Sequence, residues 1–353
     1  MTPYLKFKSF EDRLLQKHAM KEANEKIPSS FSSKLSGEEL AQIDAFWGGM
    51  KKKGLVTSSY SKCFPFYKFF HGIADYHFVP SDFYYLASSA LNARWGREFC
   101  SHKANLRMFI PKENRPKTIL YNIYGHFYDA DDNIISSKMA LDILKEHNEF
   151  VYKVAVNSGS GKGVRKFTSP GDKQIESIIN TRDFIVQEIL RQNDFFSRLN
   201  DSSVNTIRIE SLNLNDRCTV LSAFVRIGAK GSFVDNISGR EGMVVGVNEQ
   251  GILNQYGLTK RYVKVYNASS GLGFENLKIT NFDQIKAQIS SFHKEFPSAN
   301  LINWDIAIDE NGEIIVLEIN LSQMNPLYHQ IFNGPIFHDR FEEVVSFMRH
   351  DYL

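Results

Sequence analysis

Cysteine is nearly absent from this chain. Cys63, Cys100 and Cys218 are odd in number, far apart and without a Cys-x-x-Cys pair. That pattern excludes a disulfide framework and a thiolate zinc site, and it suits a reducing compartment. Nowhere do about 18 apolar residues run together, so no membrane-spanning helix is expected. The opening MTPYLKFKSFEDRLLQKH is charged throughout and lacks the apolar centre of a secretory signal. Net charge is only +2, so the molecule as a whole is no polyanion binder, and no regular basic-aromatic pattern marks a nucleic-acid module. Internal repeats and low-complexity segments are missing too. Together these absences predict a soluble, cytoplasmic protein without a membrane span or a nucleic-acid partner.

With 353 residues and 42% apolar content, the chain is long enough for two or three domains and a sizeable core. Charge is unevenly spread. Residues 51 to 117 hold twelve Lys or Arg against four Asp or Glu, among dense aromatics such as CFPFYKFFHG and DYHFVPSDFYY. Two readings stand side by side: a helical domain with an aromatic core and solvated lysines, or a face for an anionic ligand such as a sugar nucleotide or acidic polysaccharide. The first hundred residues read as helices, one of them announced by the capping box Ser36-Gly-Glu-Glu39. From about residue 117 strands alternate with helices: TILYNIYG, the helix SKMALDILKEH, FVYKVAV, VRKF, the helix GDKQIESIINTR and the strand DFIVQEIL. Further strands are NTIRIESLNLN, RCTVLSAFVRIGA and MVVGVNEQGIL, with the amphipathic helix NFDQIKAQISSFHKEF before the last hairpin. The order predicts an α+β protein of mainly antiparallel sheets with helices on one side.

That last hairpin, NWDIAIDENGEIIVLEIN from Asn303 to Asn320, poses an electrostatic problem. Asn311-Gly312 signals a two-residue type I′ turn. Asp305 then faces Glu318 and Asn303 faces Asn320, all four on one face. The other face carries Trp304, Ile306 and Ile308 against Ile319, Leu317 and Ile315. Carboxylates directly opposite each other repel, so a positive group is expected between them. A second feature is the loop NSGSGKGV, whose glycines would let backbone amides approach an anion. It fails the Walker A pattern at Val156 and Gly163 and the dinucleotide pattern at Val164. It also lies between two strands. A plain hairpin turn and a hairpin that closes over phosphates both fit. Lys153, inside the apolar strand before it, is either at a sheet edge or meets a negative group.

A strand lysine, a glycine hairpin, a Gln-Glu strand and a late D…ExN hairpin, in that order, resemble the ATP-grasp fold. The sequence is similar in particular to the sugar-transfer-associated branch linked to polysaccharide biosynthesis. SVNTIRI, FVRIG, VDN, NWDIAI and EIN carry that similarity, with HKANLRMFIPKENRPKTI and YNIYGHFYD before them, over residues 60 to 335. The resemblance implies two α+β lobes behind a helical N-terminal region, divided at 1–110, 111–190 and 191–353. It implies ATP with Mg²⁺, two ions, held by Asp305, Glu318 and Asn320. Lys153 would contact the α- and β-phosphates. Ser158, Gly159, Gly161, Lys162 and Gly163 would close over the phosphates, and Gln187, Glu188 and Ile189 would form the adenine-side hinge. Asn236 would orient phosphate or acceptor. Arg208 and Arg226, lone charges on apolar strands, would stabilise a transferring phosphoryl group or pair with carboxylates.

The implied reaction is ADP-forming ligation of a carboxylate to an amine through an acyl phosphate. Its small-molecule substrates would include a uronic acid or sugar nucleotide, in decoration of capsule or lipopolysaccharide. A phosphotransferase and a non-catalytic nucleotide-binding partner of a glycosyltransferase are the alternatives. Two segments depart from the branch: SGREGM where a double glycine commonly follows VDN, and VKVYNASSG where a His-Pro turn is common.

Overall fold

The computed structural model describes residues 11, 13–21, 25, 27–57, 60–156, 163–235, 242–322 and 324–352. Ser158, Gly159, Gly161, Lys162 and Asn236 therefore lie outside the described residues. Two antiparallel sheets face each other. The first is ordered β3-β2-β1-β6-β4-β5 and is built from β1 (Thr118–Ile123), β2 (His126–Asp129), β3 (Ile134–Ile135), β4 (Glu149–Val154), β5 (Val164–Thr168) and β6 (Phe184–Gln187). Strand alternation sends Phe150, Tyr152, Phe184 and Val186 to one face, where helices Ser137–Lys145 and Asp172–Ile179 cover them. Val151, Lys153, Ile185 and Gln187 point the other way, toward the second sheet. The strand expected over DFIVQEIL ends at Gln187; beyond it the Glu188 N–H leaves the ladder and donates to the Lys117 carbonyl at 2.9 Å.

The second sheet is ordered β11-β10-β9-β8-β7-β12-β13. Its strands are β7 (Thr206–Leu214), β8 (Arg217–Ile227), β9 (Met243–Val247), β10 (Leu253–Thr259), β11 (Lys264–Val265), β12 (Leu301–Ile308) and β13 (Ile314–Asn320). Ile207, Ile209, Val225, Trp304 and Ile306 pack beneath helix Phe282–Lys294. The opposite face is apolar at one end, where Leu212, Leu221, Phe224 and Leu301 join a core with Trp47, Phe64, Tyr67, Phe83 and Phe341. Helices thus cover both faces of this sheet, against the expectation of one. The N-terminal helices have no separate core: their aromatics are buried on the sheet, together with helices Leu327–Asn333 and Phe341–Tyr352 that the sequence pattern had not marked. The capping box forms as expected, with Ser36 Oγ accepting from the Glu39 N–H at 3.1 Å and a Glu39 carboxylate oxygen from the Ser36 N–H at 2.6 Å.

The β12–β13 hairpin keeps the expected register at its acidic end by a different route. Asp305 pairs with Glu318 and Asn303 with Asn320, but Ile306 pairs with Val316 and Ile308 with Ile314. The turn is wider than type I′. Asp309 accepts from the Asn311 and Glu313 N–H groups at 3.0 and 2.8 Å, and Gly312 takes a positive φ of 86°. This is the three-residue loop whose last position favours glycine. Widening the turn shifts the register by one, and a bulge at Leu317 shifts it back. Leu317 is thereby expelled from the core face assigned to it and lines the cleft between the sheets.

Asn92 fastens the N-terminal helices to this hairpin. Fully buried, its Nδ2 donates to the carbonyls of Leu301 and Leu321 at 2.7 and 2.9 Å, and its Oδ1 accepts from the Leu301 N–H at 3.0 Å. Asn92→Ala would orphan three buried backbone groups, and its urea midpoint is expected to report a loss of about 2 to 3 kcal/mol. A change within about 0.5 kcal/mol, the size of an ordinary surface substitution, would mean that solvent replaces these bonds.

Candidate functional site

The facing sheets enclose a cleft at the polar end of the second sheet. From the first sheet Lys153 and Gln187 reach into it. From the second come Arg208, Arg226, Asp305, Leu317, Glu318 and Asn320. Strand register sets the order of charges. Asp305 on β12, the strand next to the sheet's edge, stands opposite Arg208 of β7 on one side and Glu318 of the edge strand β13 on the other. The row reads cation, anion, anion. One strand further, Arg226 of β8 stands opposite Thr206.

Among the described residues no strand cation stands between the two carboxylates; each instead meets cations of its own. Arg208 forks onto Asp305, Nε to Oδ1 at 2.7 Å and Nη2 to Oδ2. Arg226 adds Nη1 at 3.4 Å, and the Asn320 amide reaches the same carboxylate at 3.4 Å. Burial alone would raise the Asp305 pKa, but the Arg208 and Arg226 guanidinium groups outweigh it and hold the carboxyl below its ordinary range. Arg208 responds in kind: burial opposes its charge, and Asp305 more than restores it. Glu318 has its own cation, Lys103, at 3.0 Å. That lysine side chain is only 8% exposed. Arg226 also approaches Asp235 at 3.5 Å, and Asp235 accepts from the Thr206 hydroxyl.

Lys153 is different. Among the described residues its ammonium has no hydrogen bond and no ion pair. Burial in the cleft, with Lys103 nearby, pushes its pKa down to about 8, although Glu318 and Asp235 pull the other way. A half-buried cation left without a partner among the described residues is a place prepared for an anion.

Below this row lies a second one. Glu210 of β7 stands opposite Asn303 of β12, which stands opposite Asn320. Glu210 is fully buried and accepts from the Tyr84 hydroxyl at 2.7 Å and from Asn303 Nδ2 at 2.8 Å. Burial raises its pKa to about 7. His329 bonds Asn303 Oδ1 through Nε2 at 2.8 Å, and its Nδ1 meets the Ser222 hydroxyl.

Of the residues singled out in the sequence, the structure gathers Lys153, Gln187, Glu188, Arg208, Arg226, Asp305, Glu318 and Asn320 around one cleft. Ile189 is half-buried beside it and does not line it. Gly163, with a positive φ of 79°, closes the β4–β5 ladder by accepting from the Val154 N–H at 3.1 Å. Lys103, Asp235, Glu210 and Leu317 were not anticipated. Asp235 could have been, since it immediately precedes Asn236 in VDN; the others depend on packing between distant segments. Among the described residues no three His, Cys, Asp or Glu groups converge as a metal site. The donors available are two carboxylates and the Asn320 amide. No helix among the described residues is long and apolar enough to cross a membrane.

A protein-family model described as sugar-transfer associated ATP-grasp matches residues 116–346. No curated protein matches the chain. Solved structures that resemble it include a D-alanyl-alanine synthetase A from Vibrio cholerae, at 15% identity, TM-score 0.42, over 70% of this chain and 64% of that one. An L-amino acid ligase from Bacillus licheniformis matches at 13% identity, TM-score 0.40, over 70% and 51%. A biotin carboxylase complex from Campylobacter jejuni matches at 9% identity, TM-score 0.43, over 70% and 48%. The chain thus spans between about half and two thirds of the length of these proteins. The family match covers well over half of the chain, and it includes both sheets and every cleft residue named above except Lys103. The chain belongs to the sugar-transfer-associated ATP-grasp family.

Proposed function

We propose that the protein is a Mg-ATP-dependent ligase that activates a carboxylate as an acyl phosphate and transfers the acyl group to an amine, releasing ADP. The observation that carries this reading is Lys153, a half-buried ammonium without a hydrogen bond or ion pair among the described residues, in a cleft whose far wall holds two opposed carboxylates. A triphosphate would supply the anion that Lys153 lacks, and its metal would share Asp305 and Glu318 with the cations that already face them, Arg208, Arg226 and Lys103. Asp305, Glu318 and Asn320 offer hard oxygen donors, which fit Mg²⁺ as one or two ions. When bound with ATP, Mg²⁺ would offset phosphate charge. Lys153 and Lys103 would face the phosphates from the first sheet's side. Gln187, whose buried Oε1 has no partner among the described residues, would accept from the base, with Glu188 beside it.

In the first step a carboxylate oxygen attacks the γ-phosphorus and the bond to ADP breaks. In the second the amine nitrogen attacks the acyl carbon, inorganic phosphate leaves, and the nitrogen sheds a proton. Arg208 and Arg226 already converge on Asp305, and their remaining N–H groups would hold the phosphoryl oxygens in place. Most of the rate enhancement would then come from positioning and charge neutralisation. The family's association with sugar transfer favours an acid-bearing sugar, such as a uronic acid or its nucleotide, as one substrate of capsule or lipopolysaccharide assembly.

Three outcomes are expected. Lys153 should titrate near pH 8 in the free protein when followed by NMR of labelled lysines, and its midpoint should rise when Mg²⁺ and a non-hydrolysable ATP analogue are added. The unfolded chain holds this proton up to about pH 10, so the residue's contribution to stability increases between about pH 8 and 10. Lys153→Met should remove that increase. A midpoint that ignores the analogue would take Lys153 away from the phosphates.

Glu318→Gln should keep the fold, since the apolar face of β13 is untouched, at some cost in stability from the Lys103 pair it weakens, and should lower turnover of the folded protein by about 100-fold or more. Near-normal turnover would remove Glu318 from the metal site.

The reaction itself is tested by supplying hydroxylamine with ATP, Mg²⁺ and a panel of uronic acids, sugar nucleotides and amino acids. A hydroxamate should form with one acid alongside ADP. A stable phosphorylated product without hydroxamate would identify a phosphotransferase instead.

A further inference from the structure

A second and larger cavity, about 460 Å³, adjoins the cleft behind Lys103 and Leu317. The segment from Lys103 to Lys117, strand β1 and the turn after β2 form its outer walls, and it opens into the cleft along a shared border of Lys103, Pro116, Lys153, Gln187, Glu188 and Leu317, where Glu188 adds a carboxylate. That volume is in the range of small-molecule sites. Its walls are basic. Arg107, Lys112, Arg115 and Lys117 line it against Asp131 and Asp132. Lys112 and Asp131 pair at the solvent edge, 2.9 Å apart and both largely exposed.

The inner part has fewer anions than cations. Asp132 is shared: Arg107 Nε lies 3.3 Å from its carboxylate, and the Tyr121 hydroxyl donates to it at 2.7 Å. The Arg107 guanidinium is further fixed 4.9 Å from the centre of the Tyr121 ring and by a 2.8 Å bond to the Ala104 carbonyl. Arg115, half-buried beside it, makes a single long bond among the described residues, from Nε to the Pro111 carbonyl at 3.4 Å. Its two terminal nitrogens have no partner there. Burial and the neighbouring Arg107 both weigh against the charge of Arg115, and its pKa is lowered. A half-buried guanidinium with a free fork, next to a second guanidinium held rigidly, is the arrangement that takes up a carboxylate or phosphate group in two-pronged fashion.

We propose that this cavity binds an anionic sugar, its carboxylate or phosphate held between Arg107 and Arg115 and its hydroxyls directed at Asp131, Asp132 and Thr118. The mixture of fixed cations with carboxylate and hydroxyl acceptors is what separates a charged sugar from a simple anion. This assignment rests on the nucleotide occupying the neighbouring cleft, and it names the substrate class for the ligase reading. It also divides the basic, aromatic stretch of residues 51 to 117 into two parts with different jobs: aromatics that build the core, and a basic end that lines the cavity.

The test is calorimetric titration of the whole protein with glucuronate, glucose 1-phosphate, UDP-glucuronate and glucose, with Mg²⁺ and a non-hydrolysable ATP analogue at saturation. An anionic sugar should bind and glucose should not. The glucuronate and glucose 1-phosphate arms separate carboxylate from phosphate recognition. Arg115→Gln should weaken that binding by about tenfold or more while the analogue's affinity stays within about twofold, and Arg115→Lys should recover part of the loss. Unchanged sugar affinity in Arg115→Gln, displacement of the analogue by the sugars, or no binding of any of the three anionic sugars would each overturn the proposal. If the analogue itself fails to bind, the ligase reading falls, and the same sugar titration without the analogue still decides this cavity.

Discussion

Everything at this site depends on one constraint. Two carboxylates, Asp305 and Glu318, are set side by side on adjacent strands next to the sheet's own core, and Asp305 is only 9% exposed. Such a pair cannot be left to itself: removing one partner of a buried ion pair costs about 3 to 5 kcal/mol. The fold answers with cations from three separate segments. Arg208 comes from the strand on the other side of Asp305, Arg226 from the strand beyond, and Lys103 from the segment leading out of the N-terminal helices. Two of them come from the second sheet and the third from the segment behind the N-terminal helices, so the charge row is complete only when that segment is docked on the second sheet.

The same face of the second sheet carries that constraint inward. Two residues along from Arg208 and Asp305 lie Glu210 and Asn303, now fully enclosed. Here the solution is different. Among the described residues no cation lies within hydrogen-bond distance of Glu210, and burial instead raises the Glu210 pKa to about 7 and lowers that of His329 to about 3, with Arg208 adding to the second shift. His329 is therefore neutral at physiological pH, and Glu210 is poised between its two forms. Tyr84 from the N-terminal helices and His329 from a C-terminal helix both terminate in this cluster. The polar row thus anchors the two helical segments to the sheet that carries the cleft, and the acidic hairpin inherits its rigidity from them.

How much of this the sequence revealed follows from which interactions are local. Strand alternation and the Asn-Gly turn signal placed Asp305 opposite Glu318 correctly, whereas the lone charges left Lys153 open between a sheet edge and an anionic partner, and Arg208 and Arg226 were given site roles only through the family resemblance. The agreement in the hairpin nevertheless came from two departures that cancel. Asp309 organises a wider turn than Asn311-Gly312 alone implies, and the Leu317 bulge restores the register. Neither is visible in a pattern of period two, and so Leu317 was placed in the core when it lines the cleft. Lys103 was beyond reach for another reason. Its partner Glu318 is 215 positions away, and nothing in HKANLR distinguishes it from a surface lysine. The aromatic N-terminal helices were legible as helices, but their lack of a separate core was not, because apolar content does not say which surface will cover it.

Lys103 also explains why the two cavities belong to one machine. It lines both of them, as do Lys153 and Leu317. In the structure its charge is spent on Glu318, at 3.0 Å. An Mg²⁺ ion at Glu318 would compete with Lys103 for the same oxygens and leave the ammonium to the phosphates, or to an anion across the partition. Charges this close in a cleft shielded from water interact far more strongly than they would at the surface. An occupant of one cavity would therefore alter the field in the other through the two lysines that line both, Lys103 and Lys153. If the proposed ligase reaction is the one performed, nucleotide and acid must be present together before phosphoryl transfer, and the cations shared at the boundary would couple the two binding events by electrostatics.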